Sequence, residues 1–240
     1  MLHIGIHHYS VEGAVLCYQE VMHDAQRRLG DHQHPVVTMT GLAMAPTIPE
    51  WNRKDYPALR ARSAAVVERL ARTGADFFLC PDNTSHIAME HGGPPFALPG
   101  LHIGEVVADE AVRRGYRKVG VLGTRWTMDG PVYPRALEAR GLGWAVPPAN
   151  LRAELHRIIM DELCLHKFLP ASIEAFRAAI GGLRDDGCDS VALVCTEIPL
   201  IISDDNSALP TLDSTRLLAH AAVDVALGER PLPVWRGGPL

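Results

Sequence analysis

Two short stretches of this chain end in side chains able to move a proton. "LCPDNTSH" (79–86) runs from apolar residues through Pro81 into Asp82, Asn83 and Thr84, and "LVCTEIPL" (193–200) runs the same way into Cys195, Thr196 and Glu197. Each follows a Gly-x-Asp signal, "GADFFLCPDNT" from Gly74 and "GCDSVALVCTE" from Gly187, so that Asp82 and Cys195 each stand eight residues after their glycine. A carboxylate and a thiol on two sides of one carbon suit inversion next to a carboxylate group. One side removes a proton from one face and the other returns a proton to the opposite face. A helix N-terminus and polar neighbours lower a thiol pKa, and the resulting thiolate is an effective base toward carbon. The backbone N–H groups and hydroxyls of Asn83, Thr84, Ser85 and Thr196 would cradle a substrate carboxylate and the enolate-like charge of an intermediate. Thr124 in "LGTRWT" and Ser10 in "HYS" add hydroxyls at two further strand ends.

Plainer readings compete with these. Cysteine is among the most buried residue types, and Asp-Asn-Thr after proline is an ordinary turn and cap signal. Cys17, Cys164 and Cys188 fall in helix or loop patterns and read as structural, and Cys80 reads as buried within the sheet. The repeat is what lifts Asp82 and Cys195 above this background.

The elements that would carry these residues alternate along the chain. Strand patterns at 3–6, 35–40, 75–80, 118–123, 143–147 and 190–195 are separated by amphipathic segments at 56–74, 104–115, 151–166 and 171–187. Alternation of this kind predicts an α/β fold with parallel sheets covered by helices, and ligands gather at the carboxyl ends of such strands. Gly187 follows Gly74 by 113 residues and Gly120 of "VGVLGTR" follows Gly5 of "IGIHHYS" by 115, which indicates duplication into two similar Rossmann-like halves. The expected boundaries are residues 1–103 plus 213–240 for the first half and 104–212 for the second. The last helical segment, 214–228, resembles "GEVVADEAVRRG" and would pack back on the first half. The active site would lie in the cleft between the halves, related by a pseudo-twofold.

Composition narrows the partners. Hydrophobic residues make up 47% and charged residues 21%, and the formal net charge of −5 comes from interspersed charges with no basic tract. That argues against nucleic acid as principal partner and favours a small molecule. No apolar run reaches a membrane span and the N-terminus lacks a signal-peptide pattern, so the expectation is a cytoplasmic protein without a membrane partner. Five cysteines without a Cys-x-x-Cys pair point to free thiols. Twelve histidines include "HH" at 7–8 and "DHQH" at 31–34, but no helical metal-binding spacing, so no metal site is expected.

"CTEIPLII" from Cys195, "VGVLGTRWTM" from Val119, "IIMDEL" from Ile158 and "LDSTRLLAHAAVDVAL" from Leu212 resemble the aspartate/glutamate racemase family, the cofactor-independent amino acid racemases. The resemblance covers nearly the whole chain. It implies duplicated α/β halves, no cofactor, a small-molecule carboxylate substrate and a homodimer. Cys195 matches the second catalytic cysteine of the family. The first stands in a Cys-Asn-Thr motif where this chain reads "DNT", which puts Asp82 on the cysteine position. Ser10 matches the serine of the N-terminal loop, with "HHY" replacing the usual Gly-Gly-Met, and Thr124 matches the family's Gly-Thr threonine. Lys167 lies where some members have a lysine for a distal substrate carboxylate, which brings acidic amino acids among the candidates; a helix C-terminus would also attract it. Glu197 would orient the thiol or the substrate amino group, and "IPEWNRKDYP" (48–57) falls in the lid region. The expected activity is a racemase or epimerase acting at the α-carbon of an amino acid or related carboxylate, with Cys195 and Asp82 as the catalytic pair. One-sided Cys195 chemistry, as in decarboxylases or cis-trans isomerases, and a non-catalytic small-molecule binding protein are the alternatives.

Overall fold

The computed structural model describes all 240 residues. The chain divides into two compact units, Met1–Ile103 with Leu218–Leu240, and Gly104–Leu217. Both are α/β units built on parallel sheets.

In the first unit β1 (Ile4–His8), α1 (Val11–Leu29), β2 (Val37–Gly41), α2 (Ile48–Arg53), α3 (Tyr56–Arg72), β3 (Phe77–Leu79) and α4 (Ser85–Met89) follow one another. The sheet order is β2-β1-β3, all parallel. Ile4, Ile6, Phe77, Phe78 and Leu79 are fully buried, as strands covered on both faces require. Helix α3 starts at an Asp55 cap, whose side chain accepts the Ala58 N–H, and buries Leu59, Val66, Val67 and Leu70. Each such side chain contributes about 1.5–3 kcal/mol. The C-terminal tail closes this unit's core. Trp235 packs among Phe78, Phe96, His86 and His102, and its carbonyl accepts the Gly100 N–H at 2.8 Å.

The second unit takes in α5 (Ile103–Arg113) from its second residue, then β4 (Lys118–Gly123), α6 (Arg125–Met128), α7 (Val132–Glu138), β5 (Gly143–Ala145), α8 (Ala149–Asp161), α9 (Pro170–Asp185), β6 (Ser190–Val194) and β7 (Thr211–Asp213). Helix α10 (Ser214–Leu227) begins in the second unit and ends in the first. The sheet order is β5-β4-β6-β7, again parallel.

The repeated residues do the same work in both units. Gly5 pairs with Phe78 in one sheet and Gly120 with Val191 in the other, each at the central strand. A Cβ on Gly5 would come within 3.1 Å of Leu70, and one on Gly120 within 2.8 Å of Leu183. These glycines let α3 and α9 lie close on their sheets. Gly74 (φ +85°) and Gly187 (φ +83°) turn the chain out of those two helices in the left-handed conformation. The following aspartates then hold the start of the neighbouring strand: Asp76 accepts the His3 N–H at 2.7 Å, and Asp189 accepts the Arg117 and Lys118 N–H groups at 2.8 and 3.1 Å. The Gly-x-Asp signal is thus a helix stop joined to a strand clamp.

Three local expectations change. The segment at 211–213 is a fourth strand, matched in the first unit by a single parallel bridge between Phe78 and Gly100. The helix expected over 151–166 ends at Asp161; a 3-10 turn at Leu163–Leu165 and a left-handed His166 follow. The segment expected as a lid contains α2, with Glu50 and Trp51 buried and Glu50 held by Arg62 through two bonds of 2.8 and 2.7 Å.

Candidate active site

Asp82 lies three residues beyond β3, in the turn that leads into α4. Its half-buried carboxylate reaches across to the end of β1. Oδ2 accepts the Tyr9 N–H at 2.8 Å and Oδ1 accepts the Ser10 N–H at 3.0 Å. Two converging amide donors at the head of a helix favour the ionised form of a carboxyl group. Ser10 is itself the N-cap of α1, its hydroxyl accepting the Gly13 N–H at 3.2 Å. Strand β1, helix α1 and the Asp82 turn are therefore fastened at one point.

Burial keeps several groups near Asp82 neutral. His7 is fully buried, bonded through Nε2 to the Ser63 hydroxyl at 3.1 Å, and burial with neighbouring cations lowers its pKa to about 3. The Tyr9 hydroxyl lies 3.4 Å from the same serine, and burial raises it to about 12. Cys80 is fully buried, and desolvation followed by the nearby Asp82 charge raises its thiol well above the ordinary range. His86 Nε2 donates to the Cys80 carbonyl at 3.0 Å, and burial lowers its pKa well below the usual value. Asn83 is buried, its amide nitrogen donating to the Pro81 carbonyl at 3.2 Å; Thr84 stands at the head of α4. Ser63 and Tyr9 were not singled out from the sequence. A serine on the apolar face shared by Leu59, Val66 and Leu70 was the available signal for Ser63.

In the second unit Cys195 follows β6 directly, as Asp82 follows β3 after two intervening residues. Its sulfur donates to Glu197 Oε2 at 2.9 Å, and Thr196 Oγ1 donates to the same oxygen at 2.8 Å. Thr196 and Glu197 are both buried. Here the expectation of a lowered thiol pKa is overturned. Burial first, and the Glu197 charge second, push Cys195 well above the ordinary thiol range. The reason is local: the turn after Cys195 forms one 3-10 turn, Ile198–Leu200, in place of a helix, while a carboxylate sits against the sulfur. Thr124 caps α6 by accepting the Thr127 N–H at 3.3 Å, the counterpart of Ser10 capping α1. Lys167 is exposed just past the 3-10 turn that follows α8, its N–H donating to the Glu162 carbonyl at 2.9 Å. No group of three or more His, Cys, Asp or Glu side chains is arranged to hold a metal ion, and no helix is long and apolar enough to cross a membrane.

Chemically, one unit offers a carboxylate held by two amides at a strand end and the other a protonated thiol at the equivalent strand end. Capping hydroxyls stand beside both. Each is equipped for proton transfer, in opposite senses.

Comparison with known proteins gives the family and the fold. The model of the Asp/Glu/Hydantoin racemase family matches residues 6–222. A broad specificity amino-acid racemase, RacX of Bacillus subtilis (strain 168), is 25% identical over 176 residues, 72% of this chain and 74% of the relative. A structure from Yersinia pestis assigned to the Asp/Glu racemases superposes with a TM-score of 0.82 at 27% identity, covering 95% of this chain and 100% of that one. An aspartate racemase homologue from Pyrococcus horikoshii OT3 gives 0.78 at 25% identity, with the same coverage. With a repeated strand register, a cysteine and an aspartate at matching strand ends and a family match spanning most of its length, the chain belongs to the Asp/Glu/Hydantoin racemase family.

Proposed function

We propose that this protein is a cofactor-independent racemase or epimerase acting at the α-carbon of an amino acid or related carboxylate, with Cys195 and Asp82 as its two proton-transfer groups. The observation that carries the reading is the equivalence of their positions: strands paired in the same register lead to Asp82 in one unit and Cys195 in the other. One group takes the α-proton, the charge spreads into the substrate carboxylate, and the other group protonates the opposite face. Ser10, Thr124, Asn83, Thr84 and Thr196 are the candidates to hold that carboxylate, and Glu197 positions the thiol. Lys167 brings aspartate and glutamate onto the substrate panel beside neutral amino acids.

The test is loss of the α-hydrogen in deuterated water, followed by NMR over a panel of amino acids. Exchange in at least one of them, abolished when both Asp82→Ala and Cys195→Ala are introduced, is the expected result. Absence of exchange across the panel would sink the proposal. A one-sided reaction using Cys195 alone is favoured by one observation, the engagement of both Asp82 oxygens by backbone amides; it requires Asp82→Ala to keep most of the activity. Family likeness extends the proposal to a homodimer, and light scattering against a chain mass of 26.2 kDa reads the assembly.

A further inference from the structure

Residues 228–240 cross the first unit without forming a helix or strand, and only Trp235 and Gly238 among them are buried. Their backbone is tied to the body of the unit at three places. The Phe96 N–H donates to the Arg236 carbonyl at 2.8 Å, the Gly100 N–H to the Trp235 carbonyl at 2.8 Å, and the Gly238 N–H to the Met89 carbonyl at 2.9 Å. A segment with so few buried side chains belongs to the less stable part of a fold and opens without the rest.

Trp235 covers a pair of buried histidines. Its ring stacks on His86 at 5.8 Å between centroids and 15° between planes, and meets His102 edge-on at 4.9 Å. The two imidazoles lie 4.8 Å apart, and neither is exposed to water. His86 makes one bond, from Nε2 to the Cys80 carbonyl at 3.0 Å, and its buried Nδ1 has no partner. A proton added at Nδ1 would be an N–H without an acceptor, carrying a charge beside a second imidazole. The charged and titratable neighbours pull in both directions. Glu90 brings a carboxylate to the cluster through His102, bonded at 2.8 Å, while His7 and His102 oppose a second cation. Arg60, over the Phe96 ring at 4.6 Å, and Arg236, on the Phe96 and Ala97 carbonyls, bond neither imidazole. Stacking on indole favours a cation. Burial first and His102 second outweigh this and hold His86 well below the usual histidine range.

We infer that residues 228–240 are an acid-sensitive strap over the first unit: gain of a proton by His86 favours lifting of Trp235, and lifting slackens the turn that carries Asp82. The second step follows from one bond. The Cys80 carbonyl that His86 holds stands two residues before Asp82, so an imidazole turned toward water leaves that turn without its inner fastening. Once the strap has lifted, His86 titrates near its ordinary 6.5. The closed form is therefore fully favoured above that value and loses ground as pH falls. Proton uptake by the open form multiplies the opening equilibrium by about 25 between pH 7 and pH 5. None of this depends on the reaction that Asp82 serves.

Amide hydrogen exchange of the full chain, followed by NMR at pH 7 and pH 5 and divided by the intrinsic rate at each pH, reads the opening. The Phe96, Gly100 and Gly238 amides report the strap. Ser85, whose N–H donates to the Asp82 carbonyl at 3.0 Å, reports the turn, and the amides of α3 report opening of the whole unit. The strap amides and Ser85 should be less protected than α3 and should lose about 25-fold of their protection between pH 7 and pH 5. In His86→Gln the loss should shrink to about threefold or less. Strap amides as protected as α3, or protection that does not change with pH, overturn the inference, as does a Ser85 amide that stays protected while the strap opens. A His86→Gln protein that keeps the full pH dependence places the proton elsewhere and also overturns it. The wild-type ratios decide by themselves where His86→Gln does not fold.

Discussion

Replacing Asp82 by alanine tests whether this residue fastens the first unit as well as serving chemistry. Its carboxylate joins the turn after β3 to the end of β1 through bonds of 2.8 and 3.0 Å from Tyr9 and Ser10, both nearly buried. Hydrogen bonds to a charged group contribute about 1.5–3 kcal/mol each, so two would give about 3–6 kcal/mol. Water replaces part of this at a half-buried site and the two bonds share one carboxylate, which brings the net loss to about 2–3 kcal/mol. For a chain of this length each kcal/mol moves the melting temperature by about 2–4 °C, so Asp82→Ala should lower it by roughly 4–12 °C. Differential scanning calorimetry near neutral pH measures the shift. Asp82→Asn, which keeps one acceptor oxygen, should fall about halfway between. A residue retained for chemistry alone behaves in the other direction, since its removal leaves stability unchanged or raises it. A melting temperature for Asp82→Ala at or above that of the wild type would refute the fastening argument.

Other measurements address other parts of the structure. His7 has a folded pKa of about 3 against an ordinary 6.5, so its contribution is complete above the unfolded value and is lost as pH falls from there toward 3. At about pH 5 that loss is roughly 2 kcal/mol by urea unfolding, and His7→Gln should remove this part of the slope; an unchanged slope would contradict a neutral His7. Glu197→Gln takes away the charge against Cys195, so alkylation by iodoacetamide at mildly alkaline pH, followed by mass spectrometry, should speed up at that cysteine. A rate no higher than in the wild type would remove Glu197 from the account. Trp235→Ala should destabilise the first unit by about 3–5 kcal/mol, because the ring packs among four others in its core. A loss under about 1 kcal/mol would mean that the tail is only loosely docked.

The parts legible in the sequence are those written twice. Gly5 and Gly120, Gly74 and Gly187, and Asp76 and Asp189 each solve one packing or turning problem in both units, and their spacing discloses the strand register. Strand β7 has no apolar run to mark it: Thr211–Asp213 lies between Pro210 and the start of α10 at Ser214, with one fully buried residue, Leu212. At the candidate site, position was legible and electrical state was not. The amide bonds to the Asp82 carboxylate come from residues more than seventy positions earlier in the chain. The raised thiol of Cys195 depends on Glu197 folding back onto its sulfur, where a helix N-terminus would have lowered it. Local pattern carries neither fact, since each follows from a contact made by tertiary structure.

The division of the chain bears on how the protein is made. The second unit is one continuous run, Gly104–Leu217, and has all its strands once that run has left the ribosome. The first unit is begun earlier but is interrupted, and it lacks Trp235 and the last turns of α10 until residues 218–240 have followed the second unit. Domains generally fold as they emerge. Here the order of completion reverses the order of translation, and the Asp82 half of the molecule waits, partly built, for residues 218–240 to follow the second unit.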